Sequence, residues 1–328
     1  MGADNVSLVD ETKCFGCGVC AHFCPEEPRL LEINTNASGF LIADAIYPVH
    51  PEPGPFPGAV NSLEQSFFQE FERMGLGSSC HIVIIDEAPR AQKMFPEFLL
   101  YKSLFERFGC TAAIHDYNDL IYSNGSLFAK GEKTGKKIDF IYNRYCDFML
   151  SDPSSKGLRQ AYLEGGCTFS PNPRKYVLLA DKRRLVQFSR PGWLEAVASS
   201  DTDIEAIRKV LVRTWEQTGF SDSNEIWEKR KQLFFKPSQS YAEKRAYRGS
   251  SITRKVFNRV LGEDTLIQHY VPAPTIQFKT DPSKARWKYD LRAYAYAGEV
   301  QLLVARIYQG QITNFNQALG GYCPVFVR

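Results

Sequence analysis

Between Asn61 and Asp116 the hydrophobic pattern reads helix, strand, helix, strand. LEQSFFQEFERM has apolar residues at helical spacing, HIVIIDEA is a short buried-strand run, FPEFLLYKSLFERFG returns to helical spacing and stops at Gly109, and TAAIHD closes as a strand. Alternation of this kind is the mark of a parallel sheet covered by its own connecting helices, so the centre of the chain is expected to be α/β.

The 328 residues are enough for two or three separate cores. Upstream, RLLEINTNASGFLIADA holds two apolar-alternating runs around Asn36 to Gly39 and predicts a β-hairpin. The next stretch, YPVHPEPGPFPG, has five prolines and two glycines, which exclude a helix or a central strand and mark a boundary near Gly58. Downstream, KKIDFIYNRY predicts a further strand. A second α/β block is expected from about Arg190, with the amphipathic helix DIEAIRKVLVRTWEQTG and the strands QLFFKPS and TLIQHYV. YDLRAYAYAG and EVQLLVARIYQG predict an antiparallel pair turned at Gly298. Three segments are therefore expected: 1–58, 59–189 and 190–328.

Apolar residues at 44%, charged residues at 23% and a net charge of +3 give no strong field for nucleic acid or a membrane surface. No apolar run nears the roughly 20 residues that span a bilayer, and MGADNVSLVDETK lacks the basic-then-apolar pattern of a secretory signal, so a cytoplasmic location is expected. None of the five histidines has a triad partner by spacing.

Four of the nine cysteines, Cys14, Cys17, Cys20 and Cys24, fall within eleven positions as C-x2-C-x2-C-x3-C, followed by Pro25. Gly16 and Gly18 keep the loop tight enough for three thiolates to converge while backbone N–H groups point at the sulfides. VDETKCFGCGVCAHFCPEE resembles the bacterial-type ferredoxins, which implies a 4Fe-4S cluster; a zinc site is the alternative. No second motif supplies the ligand that a two-cluster ferredoxin would need. The fourth ligand is then Cys24 or, more distantly, Cys323, or it comes across a homodimer.

From Asn61 onward the order of IVIIDEAP, IDFIYNR, SPNPRKYVLLADKR, FFKPSQSYAEKRAYRG, LIQHYV, KYDLRAYAYAG and ARIYQGQITNFNQALGG resembles the ATP-grasp superfamily, in its circularly permuted, glutathionylspermidine-synthase-like form. The resemblance implies a mixed α/β (α+β) fold: a small ferredoxin-like N-terminal segment, a Rossmann-like pre-ATP-grasp domain and an ATP-grasp domain. It also implies ATP and Mg2+ as ligands.

Carried over residue by residue, the resemblance makes Lys182 and Lys236 the phosphate-binding lysines. Lys236 sits on a strand half buried by Phe234 and Phe235, where a cation costs desolvation energy unless an anion meets it. Gln268 to Val271 match the hinge whose backbone reads the adenine edge, with Tyr270 or Val271 against the ring. Asp290 and Arg292 share a strand face by period-two spacing and are expected near the triphosphate, with Arg306, Gln311 and Asn314 following on the partner strand and the loop after it. Arg292 and Arg306 are the candidate catalytic cations, and Asp290, Gln311 and Asn314 offer the oxygen ligands that Mg2+ prefers. The sequence departs from the family at two places. SYAEKRAYRG is glycine-poor, so Lys244, Arg245 and Arg248 would supply charge in place of backbone amides. The last strand lacks a carboxylate-x-asparagine pair, which would leave Asp181 or Asp86 to provide a second carboxylate.

The resulting expectation is an ATP-dependent ligase that activates a small-molecule carboxylate as an acylphosphate and joins it to an amine or thiol. The alternative is an iron-sulfur electron-transfer or redox-sensing protein, working with an electron donor or partner protein, on a non-catalytic ATP-grasp scaffold.

Overall fold

In the computed structural model, residues 28–36, 38–50, 53–77, 79–131, 135–238, 246–278, 285–310 and 320–326 are described. Strand β1 (His81–Asp86) is the centre of the first sheet, and its residues Ile82 to Ile85 have no exposed surface. It pairs in parallel with β2 (Thr111–Asp116) on one side and β5 (Phe140–Asn143) on the other; β6 (Thr168–Ser170) lies beyond β5. Side chains alternate across the strand. Ile82 and Ile84 therefore face helices α2 (Ala59–Arg73) and α3 (Phe95–Arg107), whereas Val83 and Ile85 pack with α4 (Lys156–Leu163) and the hairpin β3 (Leu120–Ser123) and β4 (Ser126–Ala129). Coverage of both faces explains why the strand reads as a continuous apolar run.

The chain leaves β1 for β2 on one side and later returns to β5 on the other. The sheet thus reverses its order between β1 and β5, and in open α/β sheets ligands bind at the carboxyl ends of the strands at such a point. Asp86 and the pair Asn143 and Arg144 stand there.

After the short helical segments α5 (Pro173–Lys175), α6 (Arg183–Ser189), α7 (Trp193–Val197) and α8 (Asp201–Val210), the chain builds an antiparallel sheet in the order β7–β10–β8–β9. Its strands are β7 (Thr214–Trp215), β8 (Leu233–Pro237), β9 (Tyr247–Arg248) and β10 (Thr265–His269). Leu233, Phe235 and Ile267 point into a core with Ile226 of α9 (Ser223–Lys229) and Phe257 and Val260 of α10 (Arg254–Leu261). Alternation then places Phe234, Lys236, Leu266 and Gln268 on the opposite face.

The third sheet is antiparallel, β11 (Thr275–Gln277), β12 (Arg286–Tyr296), β13 (Glu299–Tyr308) and β14 (Gly321–Cys323). One face packs Trp287, Tyr289, Ala305, Ile307 and Cys323 together. The other carries Asp290, Arg292 and Arg306, and through Tyr294, Leu302 and Val304 it joins the core of α2, α3 and the parallel sheet.

Three expectations change. No hairpin forms among the described residues around Asn36 to Gly39: 31–34 are irregular, Thr35 and Asn36 form a bend, and Ser38 and Gly39 lead into helix α1 (Phe40–Asp44). Gly39 takes φ +94°, and a Cβ there would lie 2.0 Å from the Tyr322 hydroxyl, so glycine is required. The Glu97 carboxylate then accepts from the amides of Gly39 at 2.8 Å and Leu41 at 3.2 Å, fixing the start of α1. The helix predicted over DIEAIRKVLVRTWEQTG stops at Val210; Leu211 bridges to Leu30, and Thr214 and Trp215 become β7. The strand in KKIDFIYNRY is confined to Phe140–Asn143, with Ile138 bridging separately to Leu127. The parallel centre and the β12–β13 pair turned at Gly298 match the sequence reading.

Candidate active site

Lys236 and Gln268 project side by side from the open face of the β8–β10 ladder. Lys236 pairs in register with Leu266 and Gln268 with Phe234, so period-two alternation sends both side chains to the same side. Gln268 is 2% exposed, and its Nε2 donates to Thr214 Oγ1 at 3.1 Å. A run of cations and rings continues from Lys236: its Nζ lies 5.7 Å from the Phe234 ring centre, Phe234 stacks on Tyr270 at 6.5 Å, and Arg248 lies 4.3 Å over Tyr270. Tyr270, expected against an adenine ring, therefore packs against Arg248. The amides of His269 and Tyr270, expected to read the base edge, donate to Arg213 and Gln232 carbonyls at 2.9 and 2.7 Å. Val271 follows at the strand end and is half-buried.

The third sheet contributes Arg306 and Asp290. They face each other in register across β12 and β13, and Arg306 Nε donates to Asp290 Oδ1. Arg292, on the same face, turns its Nη1 to the Ser38 carbonyl at 2.8 Å, an acceptor it shares with the Tyr294 hydroxyl. Arg292 thereby ties β12 to the segment before α1. Lys182 is the N-cap residue of helix α6, directly after Asp181, whose carboxylate is bonded by Arg183 through Nε and Nη2. Burial pushes the Asp181 carboxyl up, but the bonds from Arg183 more than offset this and hold it below the usual carboxylate range.

Sequence reasoning did not single out Glu32. Burial pushes its carboxyl up, yet Lys236, the Asn34 amide, Lys182 and Arg306 together bring it below its ordinary value. Cations from the start of α6, from the second sheet and from the third sheet thus act on one carboxylate. The residue before it, Leu31, offers its carbonyl to Lys236 Nζ at 3.2 Å and to Gln268 Nε2 at 3.4 Å. Lys236 and Gln268, from two strands far apart in sequence, meet at the Leu31 carbonyl, and the positive charges of Lys182 and Arg306 add to that of Lys236 in lowering the Glu32 carboxyl. Arg248 and Tyr270 lie further along the β8–β9 edge, and Arg292 is directed to Ser38. A lone glutamate inside an apolar-alternating stretch carries no local signal of such a role, which arises from tertiary placement.

A second charged group lies at the carboxyl ends of β1 and β5. Burial pushes the Asp86 carboxyl up to about 6, with the Glu87 amide and Arg144 acting against the rise. Arg144 is 6% exposed, its amide donates to the Ile85 carbonyl at 2.9 Å, and its carbonyl accepts from Asn36 Nδ2 at 3.0 Å. Cys146 is pushed up to about 11 by burial, which leaves it a thiol near neutral pH.

The cluster cysteines Cys14, Cys17, Cys20 and Cys24 lie outside the described residues, as do Lys244, Gln311 and Asn314. Cys323, the distant candidate for a cluster ligand, is fully buried in the core of the third sheet. Among the described residues no group of three or more His, Cys, Asp or Glu is placed to hold a metal ion, and no helix is long and apolar enough to cross a membrane.

No family model and no curated protein matches the chain. Among solved structures it is similar to the ATP-grasp ligase PsnB complexed with a minimal precursor, at TM-score 0.43 and 13% identity, over 77% of this chain and 79% of that one. It is similar to the same ligase complexed with the precursor peptide PsnA2 and AMPPNP at TM-score 0.39 and 14% identity, over 72% and 77% of the two chains.

Proposed function

We propose that the chain is an ATP-dependent ligase of ATP-grasp type, with a 4Fe-4S segment in 1–58, a pre-ATP-grasp α/β domain in 59–189 and the nucleotide-binding domain in 190–328. The observation that carries the reading is the meeting of Lys236 Nζ and the buried Gln268 amide at one acceptor, the Leu31 carbonyl, at 3.2 and 3.4 Å, beside a carboxylate, Glu32, that the charges of Lys236, Lys182 and Arg306 hold below its ordinary value against the effect of burial. Positive charges that act on a common position repel one another and cost desolvation energy when buried, so anions among them are favoured. Glu32 and Asp290 supply two; the phosphates of a nucleotide would supply more.

In this reading a carboxylate oxygen of the substrate attacks the γ-phosphorus of ATP, a P–O bond forms, and the bond to ADP breaks. An amine or thiol then attacks the acyl carbon, the C–O bond to phosphate breaks, inorganic phosphate leaves, and the nucleophile's proton passes to solvent. Lys182 and Lys236 hold the phosphates in place, and Arg306 stabilises charge on the transferred phosphoryl oxygens. Asp290, with Gln311 and Asn314, offers hard oxygen ligands to Mg2+, which when bound neutralises phosphate charge. The carboxyl ends of β1 and β5, with Asp86 and Arg144, are the natural place for the second substrate.

The test is ADP formation in the presence of candidate carboxylates, with hydroxylamine as the amine. Hydroxamate and ADP appearing in equal amounts support the ligase. A protein that is brown, absorbs near roughly 400 nm and bleaches with dithionite, but makes no ADP with any acceptor, supports the other reading, an iron-sulfur redox or sensing protein on a non-catalytic scaffold. Glu32 standing among the cations favours that second reading, because a carboxylate there opposes phosphate binding for as long as it stays.

A further inference from the structure

Residues 29–34 cross the face that carries Lys236 and Gln268. At one end the segment is fastened to the end of α8: Leu30 N–H donates to the Val210 carbonyl at 2.7 Å, Leu30 bridges in parallel to Leu211, and Arg29 Nη1 donates to the Lys209 carbonyl at 2.8 Å. In the middle, the Leu31 carbonyl accepts from both Lys236 and Gln268, while the Leu31 side chain is 38% exposed and anchors little. Glu32 follows, braced by Asn34 Nδ2 at 3.1 Å from its Oε1. The Leu31 carbonyl thus meets an amide donor and a cation, and the carboxylate that follows it lies in the field of the same cation. Those are the two kinds of contact that a base edge and a phosphate would make.

Just beyond the segment, Thr35 Oγ1 and Asn36 Oδ1 are buried without a hydrogen-bond partner among the described residues. The fastening includes a few polar contacts to backbone and side chains, while Leu30 and Ile33 are half-buried and Leu31 is exposed.

We propose that residues 29–34 form a displaceable strap that occupies the nucleotide site through the Leu31 carbonyl and the Glu32 carboxylate, and that nucleotide and strap exclude each other. The inference rests on the nucleotide-site reading above. If the strap is closed about nine-tenths of the time, apparent nucleotide affinity is reduced about tenfold, because only the open fraction binds.

The experiment titrates Mg-ADP by calorimetry into the full-length protein and into Glu32→Gln and Leu30→Pro, and follows amide hydrogen exchange over residues 29–34 in the wild type with and without Mg-ADP. Glu32→Gln removes the competing charge, and Leu30→Pro removes the N–H that bonds Val210. The expected result is about five- to tenfold tighter binding by both variants and faster exchange at Leu30 when Mg-ADP is bound. Equal affinity in all three proteins with unchanged exchange overturns the strap and leaves the nucleotide site standing. Weaker binding by Glu32→Gln also overturns it, since Glu32 would then belong to the binding site. Absence of binding by all three overturns strap and nucleotide site together. Should Leu30→Pro fail to fold, the exchange of the wild type decides.

Discussion

Arg306 donates its Nε–H to Asp290 Oδ1 at 2.5 Å across the β12–β13 pair, with the two side chains 18% and 16% exposed. The contact holds the guanidinium on the sheet face that also carries Arg292 and occupies one oxygen of the carboxylate proposed to bind Mg2+. Partial burial makes the pair interdependent, since removing one member strips the other of its charge partner. Asp290→Ala and Arg306→Ala should each destabilise the protein, and the double variant should lose less than the sum. Urea unfolding of the four proteins is expected to give a coupling energy of about 0.5–3 kcal/mol.

Lys236→Met keeps the methylene stem over Phe234 and removes the charge. It should leave the melting temperature nearly unchanged and weaken Mg-ADP binding by at least about tenfold, roughly 1.4 kcal/mol, as read by calorimetry.

Glu97 has no exposed surface and accepts the amides of Gly39 and Leu41, so its carboxylate is the N-terminal cap of α1. Glu97→Ala orphans both amides in the interior, at about 1–3 kcal/mol each. Denaturant unfolding should show the loss, and Glu97→Gln, which keeps an acceptor oxygen, should recover part of it.

Asp86 makes a pH-dependent contribution whose sign follows from its raised value. Its carboxyl moves from 3.8 to about 6 on folding, so the folded state holds the proton more tightly than the unfolded chain. Stability from this group is present below 3.8, is lost as pH rises toward about 6, and stays lost above it. Asp86→Asn should match the wild type near about pH 4 and exceed it near about pH 7, as thermal unfolding across that range would show.

The sequence disclosed the elements whose burial is uniform. The apolar run His81–Asp86 and the alternating strands 286–296 and 299–308 were legible because a strand buried on both faces, or on one, leaves a periodic record in its own residues. The start of α1 was not. Its helical state depends on Glu97, fifty-eight residues from Gly39, and on the Tyr322 hydroxyl packed against that glycine, neither of which is local. The early end of α8 is similar, because Leu30 supplies a β-type partner to Val210 and Leu211.

At the site, the shared face of Asp290 and Arg292 could be read from period-two alternation within one strand, whereas the pairing of Lys236 beside Gln268 and of Asp290 opposite Arg306 depends on strand register, which alternation alone leaves open. That Arg292 bonds Ser38, that Arg248 covers Tyr270, and that the Leu31 carbonyl meets Lys236 and Gln268 all follow from how the sheets and the segment before α1 meet. No residue records such meetings in its immediate sequence.

A crystal structure of the full-length protein with Mg-ADP tests the account most directly. The predicted result has the diphosphate within salt-bridge distance of Lys182, Lys236 and Arg306, with Gln268 released from the Leu31 carbonyl. A nucleotide bound elsewhere, or none at saturating concentration with Leu31 and Glu32 still in place, would contradict it.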